Sequence, residues 1–553
     1  MRKTLLSLLA VALMLTGAAR LSAQDKPVAI LSVASYDTLQ ADLKFVGQLA
    51  DAPDLDKSLD GIIALVTRGQ GLKGLDKSKP LGLAVFMDGQ TPKGFAFLPI
   101  ADLKGFLALF PQVNVQDSDG TLEIQGPNGP PGYATQKGSW AFISNDKDTL
   151  KSAPADPEKL LGDLSKDYAI AVQFNVQNVP ADLRENATQI FRAGVEVGLQ
   201  QKPGEDDIAY EFRKKMAQAQ LKQMETLIKD LDQFTIGWAI DPSAKTTNLD
   251  ISLTAVATSP IAKQFAEMAN VKSDFGGFLL PDAAITLNVC SKFDQADADQ
   301  AIALIQTART KANESIENDS TIPNEEGKKQ AKEVVSQLLD VAEHTVKSGK
   351  LDGGAALTME PNALSFAAGG FVKDGPSLEA AIKKLVALGA ADPNFPVVKF
   401  DIENHNGIKM HSLAIPMNDD NAKKVFGDTM DVYIGIGAES AYVAFGKNSL
   451  TLLKSIIDKP AATGQKNYPF QLNVALTPIL EFINSTNPNP GAMMAAQLLS
   501  ATPGKDHIRL TASVITNGVN YRISAEEGVL KAIGAGAKMA SGMAGGGGRR
   551  PGR

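Results

Sequence analysis

A single cysteine, Cys290, stands in the 553 residues, so no disulfide can form within the chain and its cores must hold by burial alone. Histidine is nearly as scarce: His344, His405, His411 and His507 are the only four. Aromatic residues make up 6% of the chain, with two tryptophans, which leaves little material for platforms that stack on sugars. Positive charge is not in excess. The formal charge is −7, and a general nucleic-acid binder needs a basic face to neutralise phosphates. The one basic cluster is Arg549, Arg550 and Arg553. Apolar runs are short as well. Past the first twenty or so residues, nothing approaches the roughly eighteen uninterrupted apolar positions of a membrane-spanning helix.

What the chain does have begins at its first residues. Arg2 and Lys3 precede an apolar stretch from Leu5 to Leu15, broken only by Ser7, and Leu21-Ser22-Ala23 offers a small residue before Gln24. Basic start, apolar centre and small residue follow in the order of a secretory signal. The apolar centre is about half the length a bilayer-crossing helix requires. Cleavage is therefore expected between Ala23 and Gln24, delivering a periplasmic or extracellular protein with no transmembrane segment after processing. Loss of Arg2, Lys3 and Arg20 takes away three positive charges and moves −7 to −10.

An internal repeat organises the remainder. Ser139-Trp140-Ala141-Phe142-Ile143-Ser144 has a counterpart in Ser440-Ala441-Tyr442-Val443-Ala444-Phe445, and Asp167-Tyr168-Ala169-Ile170-Ala171-Val172 in Asn467-Tyr468-Pro469-Phe470-Gln471-Leu472. Apolar residues fall at 168, 170, 172 and 174 and again at 468, 470, 472 and 474, the period of a strand with one buried face. The segments from Val28, Leu81, Gln116 and Phe234 match those from Ala283, Gly353, Glu403 and His507 in the same order. A shared order of six is a strong signal where any one match is weak.

These observations predict an α+β fold. It is a tandem duplication of a mostly antiparallel unit of about ten strands, with an early helix pair and a C-terminal helix in each copy. The copies are placed at 24–275 and 276–540, after a signal at 1–23 and before a Gly- and Arg-rich tail, 541–553, expected to be disordered. Asp119-Gly120 and Asn406-Gly407 should be matching tight hairpin turns. Helical segments near 205–231, 294–317 and 325–348 are expected to be the main unmatched insertions. Trp140 and Tyr442 should face their cores, as should Tyr168 together with Ile170, Val172 and Phe174.

The paired blocks at 139–144 and 440–445, and at 167–172 and 467–472, resemble those of exported bacterial proteins grouped as a domain of unknown function. Those are packing motifs. The resemblance implies export and this fold, and it carries over no catalytic, cofactor or metal residue.

A search for chemistry meets an obstacle at each motif. Asp401, Glu403, His405 and His411 lie on one apparent hairpin. With Asn406-Gly407 as a two-residue turn, His405 pairs with Ile408 and Ile402 with His411. Asp401, Glu403 and His405 then share a face and His411 takes the other, so no metal site is expected. Asp117-Ser118-Asp119-Gly120 begins like a calcium loop, yet Val115 and Gly126 fall at two of its ligand positions. Gly446-Lys447-Asn448-Ser449 has Ala441 where a phosphate loop needs glycine. Gly435-Ile436-Gly437 lacks the third glycine of a dinucleotide turn, and Ala342-Glu343-His344 lacks a second zinc-ligating histidine. No G-x-S-x-G elbow occurs. Cys290, ending a β-pattern with no histidine near it, reads as a structural thiol.

The expected function is that of an exported non-catalytic binding or structural protein, with no cofactor, whose partner is a protein, a lipid or another envelope component and not nucleic acid. Two alternatives stand beside it. One is a carrier of apolar ligands such as lipid; the other is a hydrolase using dispersed carboxylates, which no local motif would reveal.

Overall fold

The structure is a computed structural model that describes residues 26–126, 130–269, 271–293, 295–320, 322, 324–390, 395–459 and 468–546. The expected cleavage position at Ala23 and Gln24, and residues 547–553 of the tail, lie outside the described residues. Among the described residues, no helix is long and apolar enough to cross a membrane.

The fold is α+β, and its strands repeat. The first copy supplies β1 (Ala29–Val33), β2 (Leu81–Asp88), β3 (Thr91–Leu98), β4 (Asn114–Ser118) and β5 (Thr121–Gln125). It continues with β6 (Gly132–Lys137), β7 (Trp140–Ser144), β8 (Ile170–Asn175), β9 (Leu231–Asp241) and β10 (Thr246–Ala255). The second supplies β11 (Ile285–Lys292), β12 (Lys350–Glu360), β13 (Ala363–Phe371), β14 (Val398–His405) and β15 (Ile408–Pro416). It ends with β16 (Thr429–Ile436), β17 (Ser440–Gly446), β18 (Phe470–Ala475), β19 (His507–Ile515) and β20 (Gly518–Glu526).

Lateral order makes the duplication explicit. The first copy runs β4-β5-β6-β7-β3-β2-β1-β8-β9-β10, antiparallel throughout. The second runs β14-β15-β16-β17-β13-β12-β11-β18-β19, and these nine of its ten strands keep the order of their counterparts. Helices match too. A pair follows the first strand of each copy, Tyr36–Leu49 with Leu55–Val66 and Gln295–Asn318 with Glu325–Lys347. A terminal helix closes each, Pro260–Met268 and Glu527–Gly546.

Three sequence expectations need correction here. The helix Asp207–Asp230 is no unmatched insertion. With Ala181–Gly198 it forms the helix pair between β8 and β9, and the second copy holds Leu476–Thr486 and Pro490–Ser500 at the same place. The long helices 295–347 are likewise lengthened versions of a shared pair. Length, not presence, separates the copies. The last helix also runs to Gly546, so the first six residues of the expected disordered tail are helical.

Two compact units result, and they are interleaved along the chain. Among the described residues, one contains those up to Ile190, Ile228–Ile261 and those from Gly518; the other contains Phe191–Leu227 and those from Ala262 to Asn517. In the first, β20 lies against β10 in register, Asp250 opposite Arg522. Its core joins Ile30, Ala84, Phe95, Phe97, Phe142 and Leu161 around Trp140, whose ring meets Phe97 edge-on at 5.9 Å. In the second, Phe278, Met410, Ala444, Leu453 and Ile456 pack with Tyr442. Trp140 and Tyr442 thus face equivalent cores, as their shared motif requires.

Candidate functional site

The hairpin that drew attention in the sequence turns where expected. Asn406 and Gly407 have φ of 51° and 81°, and Asp119 and Gly120 have 55° and 79°. Both pairs are left-handed at two successive residues, the conformation that Asn-Gly and Asp-Gly favour in two-residue hairpins. His405 faces Ile408 and Glu403 faces Met410. Beyond Glu403 the register breaks. Lys399 pairs with Ser412, so Phe400, Asp401 and Ile402 stand opposite His411 alone, with Asp401 at φ 54°.

This bulge overturns the expected facing. Glu403 and His405 do share a face and engage the helix Ser449–Asp458: Lys454 donates to Glu403 at 2.8 Å, and His405 Nε2 lies 2.7 Å from Asp458. Asp401 leaves that set. Its backbone N–H donates to His411 Nδ1 at 3.0 Å, and its carboxylate accepts from Lys383 at 2.9 Å. Alternation from a tight turn predicts facing only while pairing stays one to one.

The result is a polar cluster under the helix Gly375–Gly389. His411 is 1% exposed and Glu379 is buried. Glu379 accepts from Lys383 at 2.7 Å and from Lys409 at 3.0 Å, while His411 Nε2 stands 3.9 Å from its Oε1 with no hydrogen-bond partner. Burial acts to raise the Glu379 pKa, but the two ammonium groups outweigh it and hold the carboxyl below its ordinary value. Burial lowers that of His411.

Glu379, Asp401 and His411 place one candidate ligand atom each within 4.8 Å of one another. Their bonding disfavours a cation. Because Nδ1 accepts a backbone proton, the neutral ring carries its own proton on Nε2, which leaves no lone pair aimed at the carboxylates. Lys383 bridges Glu379 and Asp401 and already supplies the positive charge a metal would bring. The arrangement is an ion-pair network around a ring of fixed tautomer.

The other sequence candidates separate. Cys290 is buried, and burial with Asp352 nearby pushes its thiol up to about 12, far from a reactive thiolate. Gly446-Lys447-Asn448-Ser449 does join a strand to a helix, but Lys447 pairs with Glu360. Asp117 accepts from Lys104, the contact of a surface ion pair.

Sequence reasoning missed the most extensive feature. On β8 it chose the wrong side: Ala171 is buried, whereas Val172 and Phe174 are 47% and 40% exposed. Tyr168 precedes the strand, so strand alternation does not govern it. Its ring lies over Gly237, and its hydroxyl is 3.3 Å from the buried Asp250. The outward face of the first unit then reads across strands in register. Ile170, Trp238, Leu249 and Ile523 form one row, and Leu31, Val172, Ile236, Ile251 and Tyr521 the next. Ala29, Phe174, Phe234 and Leu253 form a third, which ends at the buried Val519. No charged side chain interrupts these rows, and Ile236, Leu249 and Ile523 are 39%, 37% and 36% exposed. The opposite face of the same strands carries the polar pairs, among them Arg522 on Asp250 with two contacts of 2.7 Å. The usable signal lay in β9 and β10, where apolar residues alternate with Thr235, Gly237, Asn248 and Asp250.

No family model, no curated protein and no solved structure matches this chain.

Proposed function

We propose that this chain is an exported, non-catalytic binding protein whose first unit takes a hydrocarbon ligand, of lipid type, on the outward face of β1, β8, β9, β10 and β20. The observation that carries the reading is that face: three adjacent rows of apolar and aromatic side chains with five members more than a third exposed. Contiguous exposed apolar surface of this kind marks a binding site more often than chance. A protein partner would ordinarily be met by hydrogen bonds, about one per 100–200 Å² of interface, and these rows offer only Tyr521 and the Trp238 N–H. That N–H is already given to Thr247 at 2.7 Å. An acyl chain asks for no polar partner. The chemistry of the polar candidates supports the non-catalytic part: a fixed histidine tautomer, neutralised carboxylates and a thiol held protonated. Export is supported by the order of charge, apolar stretch and small residues in the first 23 positions.

Organic extraction of the purified mature protein followed by mass spectrometry tests the reading. Co-purifying lipid or another hydrocarbon near one equivalent is expected. A chain that emerges free of apolar ligand and takes none up from lipid vesicles would overturn it.

A further inference from the structure

The bulge on β14 gives one buried imidazole an unusual task. In a regular antiparallel ladder the Asp401 N–H would find a carbonyl; here, with three residues opposite one, it finds His411 Nδ1. A titratable side chain therefore stands in for a backbone acceptor. A second proton on the ring would occupy Nδ1, and two donors would then confront each other in a site closed to water. We propose that His411 is a protonation-sensitive latch: the neutral ring holds the Phe400–Ile402 bulge on the sheet, and acid releases it.

Four charged side chains surround the ring. The helix Gly375–Gly389 contributes Glu379 and Lys383, β14 contributes Asp401, and the ring's own strand contributes Lys409. Asp401 and Glu379 favour the charged ring, Lys383 and Lys409 oppose it more weakly, and burial outweighs the carboxylates. From β16, Ile434 lies opposite His411 and adds no charge. Phe400 covers the ring edge-on at 5.3 Å and Lys383 lies over Phe400 at 5.4 Å, so release of the bulge removes the cover with it. Burial opposes the charged ring, which places the transition on the acid side of the ordinary histidine range. Among the described pairings β14 contacts β15 alone, and the segment beyond the bulge holds by Val398 and Lys399 only. The latch lies in the second unit and is independent of the hydrocarbon-binding reading.

Hydrogen exchange of the whole mature chain, read by mass spectrometry at about pH 7.5 and about pH 5 and corrected for intrinsic exchange, tests the latch. Peptides covering 398–402 should lose protection on the order of tenfold in acid, the equivalent of about one hydrogen bond, while β16 and β17 stay constant. His411→Asn offers an amide oxygen near the place of Nδ1 that does not titrate, so its protection should be high and flat. His411→Ala should be open at both values; if it fails to fold, the wild type and His411→Asn still decide. Unchanged wild-type protection, or the same acid loss in His411→Asn, would overturn the proposal. So would one equivalent of zinc bound at neutral pH and lost in His411→Asn, because that requires a lone pair on Nε2.

Discussion

Trp140 is 5% exposed and meets Phe97 edge-on, so its core has few ways to collapse around a missing indole. Trp140→Ala should lower stability by about 3–5 kcal/mol, seen as a shift in the urea midpoint with an unchanged slope. A loss below about 1 kcal/mol would mean the ring is not anchored there. His411 makes a second claim at this scale. Burial depresses its folded-state pKa, so below the unfolded value of about 6.5 the unfolded chain binds the proton more readily. Its contribution is therefore fully present above that value and is lost as pH falls toward the folded one. Wild type should lose stability relative to His411→Asn on acidification in that window; parallel curves would contradict it. Trp140 was legible in the sequence because its motif recurs at Tyr442. The His411–Asp401 contact was not, since nothing in Phe400-Asp401-Ile402 announces a residue at positive φ inside a strand.

Period-two alternation located most strands, and the Asp-Gly and Asn-Gly turns fixed two hairpins down to the paired residues. Where alternation misled, a neighbouring element had taken over. Tyr168 caps the short helix before β8 and reaches the core from there, so the side it occupies tells nothing about Val172 or Phe174. Its ring fits only because position 237 has no side chain: a Cβ there would lie 2.3 Å from the ring. Gly237→Ala should displace Tyr168 and destabilise the first unit by about 1–3 kcal/mol, measured by thermal unfolding. A neutral effect would show that the ring moves aside freely. The helix pair at 476–500 escaped notice as the partner of 181–230 because homologous positions had diverged in length, and apolar stripes alone do not reveal equivalence.

At the scale of the molecule, the duplication was legible and the assignment of elements to compact units was not. Shared motif order implies a common strand order. It cannot say that β20, last in the second copy, completes the sheet of the first unit, because that pairing joins Asp250 to Arg522 across 272 residues. Nor could sequence rank the apolar side of β9 and β10, marked by its alternation with Thr235, Gly237, Asn248 and Asp250, as the more exposed one until the polar pairs were seen to fill the other side. That ranking creates the bare face on which the functional reading rests. Its most direct test is titration of the mature protein with a fluorescent fatty-acid analogue, comparing wild type with Val172→Asp/Ile236→Asp. Both positions are exposed, so the variant should melt within a few degrees of wild type. Saturable binding near one equivalent that falls at least about tenfold in the variant is the expected result; no binding by wild type, or equal binding by both, would contradict the account.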